Sequence, residues 1–387
     1  MYNLGYMYTR LYKQPESQSF FIFGPRGVGK SLWLRTVFKA DCFIDLLRAE
    51  TYNSLSANPS RMEELIPPNA KSVVLDEVQK LPSLLDEVHR LIETRKLRFA
   101  LTGSSARKLK KQGVNLLAGR ALTTYMHPLS TRELGNDFNL RKSLQVGHLP
   151  MAYTADQPQE YLHSYIKTYL KEEIQQEGLV RNLMGFSRFL ESASYSQGQL
   201  LNISKVASDS AVDRKVVEEY FRILEDFLVA IRIPPFTKRA TRAVTRHPKF
   251  FFFDCGIYRT LRPKGPLDST AEIDGPALET LVLQELRAVN EYSGLRYEFF
   301  YWGLQRGPDV DFVMYGEHGM IAIEVKRTNR LRGGELDGLV AFKKQYRQAA
   351  CFFVYLGNEE RQIDGISVLP AERFFHELPS LLRSPCP

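Results

Sequence analysis

Residues 20–31 read Phe20-Phe21-Ile22-Phe23-Gly24-Pro25-Arg26-Gly27-Val28-Gly29-Lys30-Ser31. Four consecutive apolar residues stopped by a glycine have the length and composition of a buried strand. The next eight have the spacing Gly-x-x-x-x-Gly-Lys-Ser, a loop whose glycines let backbone N–H groups curl round a phosphate. A helix starting near Lys30 aims the positive end of its dipole at the same anion. In this pattern Lys30 reaches the β- and γ-phosphates, and the Ser31 hydroxyl binds Mg²⁺. The stretch therefore predicts a P-loop α/β domain, with Gly24, Pro25, Arg26, Gly27, Val28, Gly29, Lys30 and Ser31 around ATP.

The residues on either side extend this domain. Short apolar runs at 42–46, 72–75, 99–102 and 122–126 alternate with helical patterns such as 84–94. That alternation predicts a parallel sheet with crossover helices over residues 1–150. The run Ser72-Val73-Val74-Leu75-Asp76-Glu77 ends in two carboxylates. Asp76 is placed to hold Mg²⁺ through water or through Ser31. Glu77 is placed to orient or deprotonate an attacking water. The run at 99–102 ends in hydroxyls, of which Thr102 or Ser104 can contact the γ-phosphate or the water. Arg120 is a candidate for the arginine that stabilises transition-state charge, often from a neighbouring subunit. Arg26 is an alternative, and either reads equally well as a surface charge.

Composition sets the wider limits. The chain has 387 residues, enough for two or three domains. Its 52 Lys and Arg against 44 Asp and Glu leave a net charge of +8, which fits a polyanionic partner without requiring one. Cys42, Cys255, Cys351 and Cys386 lie far apart, so neither a zinc site nor a disulfide framework is expected. No signal-like layout opens the chain, and no apolar run approaches bilayer length, so a cytoplasmic protein without a membrane partner is expected.

Residues 151–265 predict a helical and winged-helix domain. A helix at 202–208, a break, and a second helix at 213–228 resemble a helix-turn-helix, with Asp213 as cap. Val216, Val217, Tyr220, Leu224 and Phe227 form its expected buried stripe. The run 232–249 then carries six Lys or Arg and no acid, as a DNA-contacting wing would. Phe236 interrupts it with a ring that could pack or stack. A lid or protein-docking module accounts for the same pattern.

Residues 266–275 read as a linker into a last α/β domain, 266–387. In Gly307-Pro308-Asp309-Val310-Asp311-Phe312, strand alternation puts Asp309 and Asp311 on one face. In Ile321-Ala322-Ile323-Glu324-Val325-Lys326 it puts Glu324 and Lys326 together. If the strands pair, carboxylates and a lysine converge, a set that suits a divalent metal held by hard oxygen ligands. Arg327, Arg330, Arg332 and Lys343 would lie nearby as phosphate contacts. A solvated charged strand face gives the same alternation. A preceding helix, 276–289, offers Glu279 or Glu285 as a further acid, and periodicity does not choose between them.

Two resemblances join these parts. Asp311, then Glu324-x-Lys326 on the next strand, resembles the PD-(D/E)xK nuclease signature, with Val310 where proline is usual. The loop at 24–31, Leu75-Asp76-Glu77-Val78-Gln79-Lys80, Leu101-Thr102-Gly103-Ser104-Ser105, Leu117-Ala118-Gly119-Arg120, the motifs at 169–174 and 177–182, and Phe251-Phe252-Phe253-Asp254-Cys255-Gly256 resemble one family. It is the prokaryotic AAA+-type P-loop ATPases carrying a C-terminal nuclease-like domain of unknown function. The resemblance implies ATPase roles for Lys30, Ser31, Asp76 and Glu77, with Thr102 near the nucleotide and Arg120 as the finger candidate. It implies Glu279, Asp311 and Glu324 as ligands of Mg²⁺ or Mn²⁺, and Lys326 as the residue that steers water. It also implies a homo-oligomer, a ring being one such arrangement. The expected function is an ATP-hydrolysing enzyme coupled to a metal-dependent DNA nuclease. The alternative is a nucleotide-switch regulator or adaptor whose nuclease-like domain binds DNA or a protein without cutting.

Overall fold

The computed structural model describes residues 8–103, 117, 119–174, 180, 182–238, 247–266, 268–304 and 307–385. The chain divides into two compact units. One is Thr9–His127 with Asp226–Leu228, and the other is built on Pro128–Glu225 and Val229–Pro387.

The first unit is a five-stranded sheet of β1 (Ser19–Phe23), β2 (Cys42–Asp45), β3 (Ser72–Asp76), β4 (Arg98–Gly103) and β5 (Ala121–Tyr125). The order is β2-β3-β4-β1-β5 and every pairing is parallel. Each strand falls within one residue, at either end, of its expected range. For the central strands β1, β3 and β4 the reason is burial on both faces. Phe20, Phe21, Ile22 and Phe23 are all fully buried, and a strand covered on both sides must be apolar throughout. Fully burying each such side chain contributes about 1.5–3 kcal/mol. The helix Leu84–Arg95 turns Leu84, Leu85, Val88 and Leu91 into the same core.

In the second unit the helices Leu183–Ser194, Ile203–Ser210 and Arg214–Asp226 lead into the antiparallel hairpin β6 (Ala230–Ile233) and β7 (Lys249–Phe252). Asp213 caps as expected, its carboxylate accepting from Lys215 N at 2.8 Å. Val216 is exposed rather than buried, because Phe221 and Ile223 complete the stripe with Val217, Tyr220 and Leu224. A six-stranded sheet follows, made of β8 (Glu298–Gly303), β9 (Asp309–Gly316), β10 (Gly319–Lys326), β11 (Ala350–Tyr355), β12 (Arg361–Ile363) and β13 (Ile366–Pro370). Its order is β12-β13-β11-β10-β9-β8, with β10, β11 and β13 parallel and the outer pairings antiparallel.

One expectation needs correction here. The linker at 266–275 is largely helix: Ser269 and Glu272 form a capping box that starts a helix at Thr270 running to Tyr292, and Pro276 sits inside it. Residues 128–225 and 229–387 pack in one compact unit. Of the two alternatives for Phe236, its ring packs. It is fully buried against Phe300, Tyr315, Phe342 and Tyr346 in the core of the C-terminal sheet.

Asp254 shows how tightly this unit is tied. Fully buried, it accepts from Gly256 N at 2.9 Å and Ile257 N at 3.1 Å, capping the helix Cys255–Leu261, and from His148 N at 2.7 Å. A buried donor left unmet costs about 1–3 kcal/mol. Asp254→Ala should therefore lower unfolding free energy in urea by at least about 2 kcal/mol. A loss under about 0.5 kcal/mol would show that water replaces the carboxylate and that the cap is dispensable.

Candidate active site

The parallel register brings the carboxyl ends of three strands to one edge of the first sheet. Ile22 lies beside Thr102 and Phe23 beside Gly103, while Leu75 lies beside Leu101. Ligands of open α/β sheets bind outside such carboxyl ends, where neighbouring strands diverge in connection. The loop at 24–31 leaves β1 at that edge. Gly27 and Gly29 have φ of 82° and 98°, a region that favours glycine. A Cβ on Gly24 would stand 2.3 Å from Met126 O, so the base of the loop admits no side chain.

Lys30 is buried, and its ammonium donates to Gly24 O at 2.7 Å and Pro25 O at 3.1 Å. Burial pushes this ammonium down from its ordinary value, against the pull of Glu77 and Asp76. Ser31 Oγ donates to Asp76 Oδ1 at 3.0 Å, and Thr102 Oγ1 donates to the same oxygen at 2.5 Å. Burial raises the Asp76 carboxyl, and the Thr102 and Ser31 hydroxyls work against that rise. Lys30, Ser31, Asp76 and Thr102 thus converge. Ser31 and Asp76 supply hard oxygens in contact with each other, a donor set that fits Mg²⁺ entering with a nucleotide. Ser104 lies outside the described residues.

Glu77 adopts a left-handed conformation, φ 61° and ψ 45°, uncommon for a side chain of its size. Its N–H donates to Thr102 Oγ1 at 2.8 Å, and its carboxylate accepts from Gln79 Nε2. Sequence reading passed over Gln79 and Arg10. Gln79 is buried, and its amide lies against Gly103, where a Cβ would meet Oε1 at 2.8 Å. Arg10 donates to Val28 O at 2.5 Å and His127 O at 2.6 Å, tying the loop to the end of the sheet. Gln79 could have been found from its place two residues past the carboxylate pair. Nothing in the pattern marks Arg10.

Arg120 lies elsewhere. Ser19 pairs with Ala121, so Arg120 stands at the amino edge of the sheet, about 17 Å of strand away from the loop. There it pairs with Glu93 at 2.5 Å on the surface. Arg26, the alternative, is an exposed residue of the loop itself.

The second unit holds a separate cluster. Phe312 pairs with Ile323, and one residue further the alternation turns Asp311 and Glu324 to one side. Asp311 and Glu324 are buried. Asp311 Oδ2 accepts from Val325 N at 2.9 Å, and Lys326 pairs with Glu324. Glu324 Oε2 is buried with no hydrogen-bond partner among the described residues. Glu279 faces this cluster: burial first, then Asp311, push its carboxyl well above the usual range. Glu285 points away from it, accepting from Thr131 N at 2.8 Å and Thr131 Oγ1 at 3.0 Å. The structure thus separates the two glutamates that periodicity left open.

A residue missed in the sequence completes the cluster. Lys249, the first residue of β7, is buried, and its ammonium lies 2.9 Å from Asp311 Oδ1 and 3.5 Å from Asp309 Oδ2. Burial pushes Asp311 up, but Lys249 and Lys326 outweigh it and hold the carboxyl below its ordinary value. Among the described residues, no group of three or more His, Cys, Asp or Glu is arranged to hold a metal ion. Both oxygens of Asp311 are engaged in this arrangement, Oδ1 by the Lys249 ammonium and Oδ2 by Val325 N.

The basic residues of the middle segment are partly committed. Arg232 pairs with Glu225, Lys238 with Glu298 at 2.9 Å, and Lys249 with Asp311. Arg239, Arg242 and Arg246 lie outside the described residues. Arg327 pairs with Asp274 at 3.0 Å and Lys343 donates to Gly365 O at 2.7 Å, while Arg330 and Arg332 are exposed. Among the described residues, no helix is long and apolar enough to cross a membrane.

Three families match successive parts of the chain. Residues 16–135 match an AAA domain, residues 137–268 a domain of unknown function, DUF8612, and residues 274–374 another, DUF4143. An uncharacterized protein of Haemophilus influenzae is 21% identical over 80% of this chain and 78% of its own length. One from Methanocaldococcus jannaschii is 22% identical over 68% of this chain and 64% of its own. Among solved structures, the Aeropyrum pernix ORC1 protein in complex with DNA aligns at 11% identity and a TM-score of 0.25, over 64% of this chain and 87% of that one. Protein VC1899 from Vibrio cholerae aligns at 10% identity and a TM-score of 0.22, over 95% and 98%. Neither superposition is close enough to argue from.

Lys30→Ala should weaken nucleotide binding at least about tenfold in a titration with fluorescent ATP, because the phosphates lose their main cationic partner. Unchanged affinity would remove the loop from nucleotide recognition. The AAA match, the parallel sheet and the glycine loop agree that the N-terminal unit is a P-loop, AAA-type nucleotide-binding domain.

Proposed function

We propose that this chain is an ATP-hydrolysing nucleic-acid enzyme, in which a P-loop ATPase is coupled to a C-terminal nuclease-like domain acting on DNA. The observation that carries the reading is the convergence of Lys30, Ser31, Asp76 and Thr102 on one sheet edge, with Glu77 beside them.

The chemistry follows from those contacts. Lys30 now satisfies its ammonium on two loop carbonyls, and phosphate oxygens would replace them when ATP enters. Asp76 is held ready by two hydroxyls at a single oxygen, which leaves its other oxygen for a new partner. Mg²⁺ held by Ser31 and Asp76 would neutralise charge developing between the β- and γ-phosphates. Glu77, steadied by Gln79, orients the attacking water and accepts its proton. Arg120 stands too far from its own loop to act there. As a finger it would serve the site of another copy in a homo-oligomer.

For the C-terminal cluster, Asp311, Glu324, Lys326 and Glu279 are the right residue types for cleavage of a phosphodiester. Exposed Arg330 and Arg332 and the net charge of +8 favour an anionic partner. The ion pair of Lys249 with Asp311 favours the second reading for the state described, a nuclease-like domain that binds without cutting.

Cleavage of plasmid and branched DNA separates the two. On the cutting reading, the full chain with Mg²⁺ or Mn²⁺ and ATP nicks DNA, Lys249 having withdrawn from Asp311, and Glu324→Ala and Lys326→Ala each slow this at least about 10²-fold. Cleavage surviving both substitutions would exclude the cluster. DNA binding without cleavage would establish the non-cutting reading.

A further inference from the structure

We propose that Lys249 is the resident cation of the Asp309–Asp311–Glu324 cluster and keeps divalent metal out of it. The proposal rests on reading residues 309–326 as a nuclease-like site, and it concerns what occupies that site.

The argument begins with the backbone. Lys249 opens β7 opposite Ile233 of β6 and bridges to Leu200, and Leu201 N donates to Pro248 O at 2.8 Å. Phe250, Phe251 and Phe252, which follow, are fully buried. The base of the side chain is therefore fixed, and the stem leads in one direction only. At its end the ammonium meets Asp311 Oδ1 at 2.9 Å and Asp309 Oδ2 at 3.5 Å, with the ring of Tyr301 5.7 Å away.

That is the position a metal would need. Divalent cations bind carboxylate oxygens at about 2.0–2.6 Å, so a metal on Asp311 Oδ1 would overlap the ammonium that now touches it. Both cations cannot share one buried oxygen at such distances without strong repulsion. The other oxygen of Asp311 is committed to Val325 N. Gly198, whose N–H donates to Phe250 O beside Lys249, also lies against the cluster: a Cβ on it, at φ 70°, would stand 2.7 Å from Glu279 Oε2. Yet Glu324 Oε2 is left buried and unpartnered among the described residues. One oxygen thus waits for a ligand while the neighbouring carboxylate is already neutralised by lysine. This makes the cluster an ion-pair site whose metal-binding form requires Lys249 to withdraw.

The test uses the nucleotide-free full chain and Mn²⁺, followed by electron paramagnetic resonance and by thermal unfolding. Wild type should show no Glu324-dependent Mn²⁺ site up to millimolar ion. Lys249→Met should acquire one, at least about tenfold tighter, and should lose it again on adding Glu324→Gln. Mn²⁺ should also raise the melting temperature of Lys249→Met and leave that of wild type unchanged, since in wild type the Lys249 ammonium holds the oxygen of Asp311 that the ion would take. Lys249→Gln repeats the measurement if methionine does not fold. A Glu324-dependent Mn²⁺ site in wild type would overturn the proposal without any Lys249 variant. A Lys249 variant that folds and gains no Mn²⁺ site would overturn it as well. If Mn²⁺ behaves as expected and no variant cuts DNA, the role of Lys249 is supported and cleavage is what fails.

Discussion

The nucleotide site depends on one constraint, the parallel register of three buried strands. Because β1, β3 and β4 run the same way and end together, residues more than 70 positions apart share one edge: Lys30 and Ser31 after β1, Asp76 at the end of β3, and Thr102 near the end of β4. A shift of one residue in any pair would turn Asp76 or Thr102 to the opposite face. Burial enforces the register, since the apolar residues of β1 have no exposed alternative. Asp76 shows the result. It takes two hydroxyl donors at one oxygen, from two different elements.

The second unit handles buried charge differently. Its carboxylates come from β9, β10 and the helix Thr270–Tyr292, and its cations from β7 and β10. A buried carboxylate without a partner costs several kcal/mol, so such a cluster needs either lysines or a metal. Lys249 and Lys326 meet that need from within the chain. The middle segment is thereby joined to the last sheet through charge and through Phe236, whose ring lies in the core of that sheet.

Much of this was legible in the residues, and the limits have physical causes. Strands buried on both faces announce themselves as apolar runs, and the ends of β1, β3 and β4 could be read from where polar residues resume. The glycine loop was legible because its backbone geometry admits few sequences. Glu279 and Glu285 share one helix and differ only in what lies opposite, which periodicity does not encode. Lys249 was hidden for a related reason: it closes a basic run, and a lysine in such a run looks solvated. Its partner Asp311 lies 62 residues further on, and only the fold of β7 beside β9 turns a surface-like charge inward. The capping box at Ser269 and Glu272 was present in the sequence, but Pro266, Gly275 and the aspartates between them made the segment read as a linker.

The most direct test of the nucleotide site is a comparison of binding and turnover in Glu77→Gln. The side chain keeps its shape and loses its basicity, so ATP should bind within about threefold of wild type while hydrolysis falls at least about 10²-fold. Hydrolysis at the wild-type rate would contradict the role given to Glu77. Binding and turnover lost in equal measure would show that Glu77 holds the nucleotide and does not act on the water.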